Sequence, residues 1–232
     1  NADTRGFKRQ NVSVRSFPEM LIHRINDPIR VGTRLVDPRP AIGYLGTGAA
    51  IDEAGLDPTA GIYRYTGRAL DVAVEGPGFL AVELPSGAVA YTRDGGLVVS
   101  PDGYLATAEG LRVLGEGGPI FVGDQEPRIS EDGSVLVGGE VVGTIRLWEF
   151  PEPRLLERLG ANLLAPTEAS GPAQLAVESR LRPQHVEGAN VNVVREMVDL
   201  INIQRAYEAN QRVLRAHDET LGLLINEVPR LA

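Results

Sequence analysis

Apolar residues recur every seven positions near the C-terminus, and this pattern predicts one long α-helix over residues 190–229. One track of the heptad repeat consists of Val193, Leu200, Tyr207, Leu214 and Leu221. The matching track consists of Met197, Gln204, Gln211, Asp218 and Ile225. Three consecutive positions of the second track are polar, which costs a coiled-coil seam stability but specifies its register and its partner.

A second side of this predicted helix is apolar as well. The residues outside the seam are Val194, Ile201, Ile203, Val213 and Leu224. A helix that is apolar on several sides is expected to have several neighbours. The alternative is that the helix packs only on its own domain, but an antiparallel sheet would cover just a few turns of it. The pattern therefore favours an assembly element.

The two ends of the predicted helix carry residues that commonly begin or end helices. Asn190 and Asn192 offer side-chain oxygens for an N-cap, and Pro229 lacks the N–H that would continue the hydrogen-bond ladder.

Short apolar runs separated by glycine turns predict a β domain over residues 68–183. Asp94-Gly95 and Asp102-Gly103 are typical of hairpin turns. The expected strands are 69–74, 79–84, 88–92, 97–99, 104–107, 112–114, 120–122, 128–130, 134–137, 141–150 and 175–181, with a short helical piece at 154–159. Even spacing of short strands indicates an antiparallel β sandwich or a partly closed barrel.

Residues 1–67 show no sustained period and contain several Asp-Pro and glycine breaks. This segment is interpreted as an extended N-terminal arm with short β pieces. The whole chain is thus predicted to be mainly β, divided into an arm (1–67), a β domain (68–183) and a coiled-coil-type C-terminal helix (184–232).

Composition narrows the range of partners. The 232 residues include 23 Lys plus Arg and 31 Asp plus Glu, which gives a net charge of −8. An acidic chain without a basic cluster is a poor candidate for binding nucleic acid or an anionic membrane. No apolar run is long enough to span a bilayer, and no secretory signal pattern is present. The chain has no cysteine, which excludes disulfides and thiolate chemistry and fits an extracytoplasmic location.

No residue pattern predicts catalysis, a cofactor or a metal. His23, His185 and His217 lie far apart in the sequence, and none has a partner at metal-ligand spacing. The paired carboxylates of 52–53 and 131–132 lie in turn-like contexts near glycine. The chain is therefore expected not to be an enzyme, and no catalytic, cofactor-binding or metal-binding residue is assigned.

Three stretches together resemble the bacterial flagellar axial proteins of the rod and hook. Residues 1–8, NADTRGFK, are similar to the end of the family motif ANxxTxGFK. Residues 72–79 and 90–95, VAVEGPGF and AYTRDG, resemble its GxGFF…YTRDG segment. Residues 190–210 resemble its C-terminal signature SNVNVxxEMVxMIxxQRAYExN, which is the most specific of the three. Length and the compact β region most resemble the rod proteins, of distal or proximal type.

The resemblance implies a structural subunit of the flagellar basal-body rod. Such subunits assemble helically into an axial tube that transmits torque and conducts exported subunits, together with other rod and hook proteins. It also implies export by the flagellar type III apparatus to the cell envelope, without insertion into the membrane. The alternative function is a secreted β-rich binding module whose terminal helix packs on its own domain.

The resemblance also suggests roles for residues of the helix. The family's N-terminal helix would precede Asn1 and pair with the assembly seam, which consists of Val193, Met197, Leu200, Gln204, Tyr207, Gln211, Leu214, Asp218 and Leu221. The candidates for contact with neighbouring subunits are Val194, Ile201, Ile203 and Val213.

Overall fold

Short antiparallel strands followed by one long helix make up the chain in the computed structural model. The structure describes residues 1–23, 25, 29–31, 34–36 and 39–227. The strands are β1 (Gln10–Ser16), β2 (Met20–His23), β3 (Ile29–Val31), β4 (Arg34–Val36), β5 (Ala41–Leu45), β6 (Ala49–Leu56), β7 (Tyr63–Tyr65), β8 (Val72–Glu75), β9 (Phe79–Glu83), β10 (Val89–Thr92), β11 (Val98–Val99), β12 (Leu105–Ala106), β13 (Arg112–Gly115), β14 (Gly118–Pro119), β15 (Arg128–Ile129), β16 (Ser134–Val137), β17 (Glu140–Thr144), β18 (Leu147–Glu149), β19 (Glu157–Gly160), β20 (Leu163–Ala165), β21 (Gln174–Leu175), β22 (Arg180–Pro183) and β23 (His185–Glu187). A 3₁₀ turn covers Pro153–Leu155, and the helix α1 covers Val193–Glu227.

The six described strands between residues 10 and 56 pair antiparallel, two by two, and are here named the ribbon. Its strands pair in nested order, β1 with β6, β2 with β5 and β3 with β4. The register runs from Gln10 opposite Leu56 to Val31 opposite Arg34. Much of the predicted extended arm therefore consists of these paired strands.

The main sheet is centred on β9. Its strand order is β11-β12-β13-β9-β10-β20-β19, and β18 also pairs with β9. Phe79 belongs to one buried cluster, with Tyr91 and Phe150, whereas Leu80 belongs to a larger cluster that includes Val113. Because successive side chains of a strand point to opposite faces, β9 is buried on both sides and forms the middle of the core.

Two further pairings join distant parts of the chain. β22 pairs with β8, and β23 pairs with β7. The segment that leads into α1 is therefore bound by backbone hydrogen bonds to the segment that follows the ribbon. Gly61 permits this close approach, because a Cβ at its position would overlap the carbonyl oxygen of Gly188.

The predicted mainly β chain with antiparallel sheets and a long C-terminal helix is confirmed. Within the described residues no sheet closes into a barrel. Also within those residues, no helix combines the length and apolarity needed to cross a bilayer. The division at 67/68 and 183/184 remains a proposal.

Several element predictions were wrong in detail. Residues 141–150 form two strands, β17 and β18, because the chain leaves the sheet of β16 and joins β9. The expected helical piece at 154–159 is a 3₁₀ turn followed by β19, which pairs with β20. Residues 120–122 contribute only an isolated bridge from Phe121 to Tyr104, and 175–181 is divided between β21 and β22.

Candidate assembly surface

The helix α1 begins with a side-chain cap. The Oδ1 atom of Asn192 accepts a hydrogen bond from the backbone N–H of Arg195 at 3.1 Å. Its carbonyl oxygen also accepts the N–H of Glu196 at 3.0 Å, which closes the first helical turn. The prediction of Asn192 as a capping residue is confirmed, and Pro229 lies outside the described residues.

The apolar residues of the predicted seam all lie exposed on α1. Val193, Met197, Leu200, Tyr207, Leu214 and Leu221 are 44–64% exposed. Gln204 and Asp218 are exposed too, and Gln211 is half-buried. The predicted neighbour contacts Val194, Ile201, Ile203 and Val213 are also exposed, as are Val198 and Leu223. The helix thus presents apolar side chains to solvent on several sides.

Polar seam residues form hydrogen bonds along the helix. Nε2 of Gln211 donates to the hydroxyl of Tyr207 at 2.7 Å, and Nη2 of Arg215 donates to Oε1 of Gln211 at 3.3 Å. Gln204 bonds the carboxylate of Glu208 in the same way at 3.4 Å. Residues four apart lie on one face, so these bonds make a polar strip beside the apolar seam residues.

A buried group of charges lies near the base of the helix. Oε1 of Glu187 is 2.5 Å from Nζ of Lys8, and Oε2 is 3.3 Å from Nη1 of Arg93. The N–H of Gly61 donates to Oε1 of Glu187 at 2.8 Å. We name Lys8, Arg93 and Glu187 the basal cluster; all three are buried.

Burial and the Glu187 carboxylate shift the pKa values of the two basic residues in the basal cluster. It lowers the pKa of Lys8, and the Glu187 carboxylate offsets part of this effect by favouring the ammonium form. The pKa of Arg93 is likewise lowered by burial and raised by Glu187. Arg93 also donates to the carbonyl oxygens of Val74 and Gly76, at 3.5 and 2.8 Å. The Glu187 carboxylate therefore links the N-terminal segment, the main sheet and the segment that leads into α1.

Asn190 joins the ribbon to the helix instead of capping it. Its Oδ1 accepts the N–H of Arg9 at 2.7 Å, and its Nδ2 donates to the carbonyl oxygens of Asp57 and Thr59 at 3.0 and 3.2 Å. The prediction of Asn190 as a capping residue was therefore wrong, because its side chain bonds to Arg9, Asp57 and Thr59 and α1 begins only at Val193.

Arg9 forms an ionic link between the same two elements. Its Nη1 is 3.1 Å from Oε1 of Glu196 in the first turn of α1, and its Nη2 is 3.5 Å from Oδ2 of Asp57 below the ribbon. Arg9 and Glu196 are partly exposed. This link, here called the Arg9 bridge, connects α1 to the residues that flank the ribbon.

The ribbon is a second surface rich in exposed apolar residues. Val14 lies opposite Ile51, and Met20 lies opposite Leu45 across the two strands. All four side chains are exposed. Leu21, opposite Tyr44, is exposed on the other face of the ribbon. A two-stranded ribbon is marginally stable alone in water, so these faces indicate a binding partner.

Throughout the part of the chain that the structure describes, no group of three or more His, Asp or Glu side chains could hold a metal ion. The exposed apolar residues of α1 and of the ribbon form surfaces of the kind found at protein interfaces.

Comparisons with known proteins identify the family. Residues 182–227 match the family described as flagellar basal body rod FlgEFG protein C-terminal, and residues 73–137 match the flagellar hook protein FlgE/F/G D1 domain. The chain is 34% identical over 235 residues to the flagellar basal-body rod protein FlgG of Buchnera aphidicola subsp. Acyrthosiphon pisum, covering 97% of this chain and 88% of that protein. It is 33% identical over 236 residues to the flagellar basal-body rod protein FlgF of Salmonella typhimurium, covering 96% and 86%.

The chain belongs to the flagellar basal-body rod protein family. The resemblance inferred from the sequence is thus confirmed, and the chain is a structural subunit of the flagellar basal-body rod. None of these likenesses supports a secreted binding module. Relatives named FlgG and FlgF match at similar identity.

The basal cluster links the regions by which this rod protein resembles its family. Glu187 lies within the C-terminal match and Arg93 within the D1 match. Lys8 ends the first stretch of sequence resemblance. Reasoning from the sequence missed these three residues, because a charge within a β segment is usually exposed. Their positions in or beside the recognisable motifs were the available signal.

Proposed function

We propose that this rod protein assembles helically with copies of itself into an axial tube, through apolar contacts of α1. The observation that carries the proposal is the exposure of apolar side chains on several sides of a helix of 35 residues. Contiguous exposed apolar surface of this extent is typical of protein interfaces. Burying it in an assembly removes that surface from water and stabilises the helix.

The seam forms the first of two contact sides. Val193, Met197, Leu200, Tyr207, Leu214 and Leu221 pack against an amphipathic N-terminal helix of the same subunit, as the family resemblance implies. Gln204, Gln211 and Asp218 set the register of that pairing, because a shifted register would place these polar side chains against apolar ones. The hydrogen bonds from Gln211 to Tyr207 and from Gln204 to Glu208 support this role, since they hold polar groups along the seam.

The other side of the helix contacts neighbouring subunits through Val194, Ile201, Ile203 and Val213. Different surfaces of each copy then meet, and such a heterologous contact repeats along an axis instead of closing into a dimer. The ribbon provides a second contact, because apolar residues such as Val14 and Leu21 are exposed on its two faces.

The basal cluster and the Arg9 bridge suit a torque-transmitting rod. They fix the helix base to the main sheet and to the ribbon, so that force on one element is passed to the others. We further propose that the tube conducts exported subunits and joins other rod and hook proteins. The proposed location is the extracytoplasmic cell envelope, reached through the flagellar type III apparatus without membrane insertion. No catalytic step and no cofactor is part of this role.

The test is polymerisation of the chain extended at Asn1 by an amphipathic helix, followed by electron microscopy and sedimentation. We expect tubes for the parent chain and none for Leu200→Glu or Leu214→Glu, because a buried charge in the seam is strongly unfavourable. Asn202→Glu, which adds the same charge at an exposed polar position of α1, is the matched control and should polymerise. Tubes of the two seam variants equal to those of the parent would refute the assigned contact.

A further inference from the structure

Both methionines of the chain are exposed, and each lies on one of the two surfaces that are rich in exposed apolar residues. Met197 lies in the second turn of α1 and is 58% exposed. Met20 is the first residue of β2 in the ribbon and is 61% exposed. The sequence contains these two methionines and no cysteine. Every sulfur atom of the chain is therefore on a surface that small solutes can reach.

Apolar side chains surround both thioethers. On α1, the residues three and four positions from Met197 are Val193, Val194, Leu200 and Ile201. These four side chains are exposed and share a side of the helix with Met197. On the ribbon, Met20 lies opposite Leu45 across the two strands. None of these neighbouring side chains carries a hydrogen-bond donor.

An exposed thioether is open to oxidation by peroxides, which convert methionine to methionine sulfoxide. A lone pair of the sulfur attacks one oxygen of hydrogen peroxide, so that an S–O bond forms while the O–O bond breaks. The proton on the transferred oxygen passes to the departing hydroxide, which leaves as water. The sulfur is oxidised and the peroxide is reduced. The product is a polar side chain where an apolar one was before.

We propose that Met20 and Met197 are sites of peroxide modification, and that their oxidation prevents this rod protein from assembling. A sulfoxide oxygen needs a hydrogen-bond donor, and a partner that packs on the apolar neighbours of Met197 would leave it without one. The unassembled chain is the sensitive form, because packing on either surface covers the sulfur atom. The modification itself is independent of the proposed function, whereas its effect on assembly rests on that function.

The experiment treats two chains with hydrogen peroxide before any polymerisation: the full chain, and the same chain extended at Asn1 by an amphipathic helix. Peptide mass spectrometry measures the oxygen added at each methionine. We expect oxidation of both within a few-fold of the rate for methionine in a short unstructured peptide. The Tm of the full chain should change by less than about 2 °C, because neither side chain belongs to the core. The oxidised extended chain should need roughly a tenfold higher concentration to form tubes.

Met20→Leu and Met197→Leu are the matched variants, because leucine keeps an apolar side chain of similar size without the thioether. The double variant should form tubes equally well before and after peroxide treatment. Treatment of the oxidised parent with methionine sulfoxide reductases for both sulfoxide epimers should restore polymerisation. This recovery distinguishes methionine oxidation from irreversible damage elsewhere in the chain.

Two results would overturn the proposal. One is strong protection of both methionines from peroxide in the unassembled chain. The other is a fully oxidised parent that forms tubes at the same concentration as the untreated one. Absence of tubes from the untreated extended chain would instead refute the proposed function, and with it the effect on assembly, while the mass spectra would still decide whether both methionines are modified.

Discussion

Nζ of Lys8 lies 2.5 Å from Oε1 of Glu187, although 179 positions separate the two residues in the chain. Both side chains are buried, and Arg93 approaches the second carboxylate oxygen. Lys8, Arg93 and Glu187 are far apart in the sequence. Their contacts form only when the N-terminal segment, the main sheet and the segment that leads into α1 have come together. The basal cluster therefore depends on the whole fold.

Replacing Glu187 by glutamine should destabilise the chain strongly. The substitution keeps the side-chain volume but leaves the ammonium of Lys8 and the guanidinium of Arg93 without their shared counter-charge. Breaking a buried ion pair in this way costs roughly 3–5 kcal/mol. Urea unfolding at neutral pH measures the loss. The control is Glu178→Gln at an exposed position, expected to stay within about 0.5 kcal/mol; similar losses for both would contradict the assigned role.

Asp57 should give the chain a specific sensitivity to acid. Hydrogen bonds from Thr59 and the nearby Arg9 lower the pKa of Asp57 below its ordinary 3.8. The stabilisation by this carboxylate is therefore present above pH 3.8 and lost as the pH falls through the lowered pKa. Asp57→Asn should cost about 1 kcal/mol at pH 7, and progressively less as the pH falls below 3.8. Unfolding free energies measured from pH 7 down to pH 3 test this, with the exposed Asp124→Asn as control. A loss from Asp57→Asn that stays constant with pH would count against it.

Gly61→Ala should destabilise the junction between the ribbon and the helix. The added Cβ would overlap the carbonyl oxygen of Gly188. The backbone at Gly188 cannot move away without disturbing the pairing of β7 with β23. Overpacking of this kind costs about 1–3 kcal/mol. Gly117→Ala provides the comparison, because nothing lies within 4 Å of a Cβ there. Chemical denaturation should separate the two variants, and equal stability would disprove the tight approach.

Leu214→Glu should leave the stability of the unassembled chain within about 0.5 kcal/mol of the parent, because Leu214 is exposed. Leu80→Ala, which removes a fully buried side chain from the main core, should cost about 2–5 kcal/mol. Chemical denaturation of the monomeric chains measures both. Comparing Leu214→Glu with Leu80→Ala also distinguishes a loss of assembly from a loss of folding. A large destabilisation by Leu214→Glu would mean that α1 packs on its own domain.

Arg9→Gln should loosen the angle between the ribbon and α1 while changing the overall stability little. The Arg9 bridge joins Asp57 to Glu196, and partly exposed ion pairs contribute little to unfolding free energy. Spin labels on Val12→Cys and Val213→Cys would report the angle, since the chain has no cysteine of its own. We expect a broader distance distribution for Arg9→Gln, and for the parent at high salt. Arg15→Gln, on the ribbon and paired with Asp52, should keep the parent distribution. A variant distribution as narrow as that of the parent would show that other contacts set the angle.

The sequence predicted the helix well because its signals are local. A heptad pattern, an Asn192 cap and the absence of proline between residues 193 and 227 act within a few turns of one segment. The same pattern selected the residues assigned to the seam, and that assignment remains a proposal. The ribbon was harder to predict, because its apolar residues are distributed over both faces and give no clean alternation with period two.

What the sequence by itself determined, then, is the mainly β class and the long C-terminal helix. It also determined the family, because the family motifs are contiguous stretches of sequence. Only the tertiary structure decided that Lys8, Arg93 and Glu187 share one buried site, and that Asn190 joins the ribbon to the helix rather than capping it. The physical reason is the range of the interactions. Helix formation depends on residues three or four apart, whereas these charges and hydrogen bonds join residues separated by most of the chain.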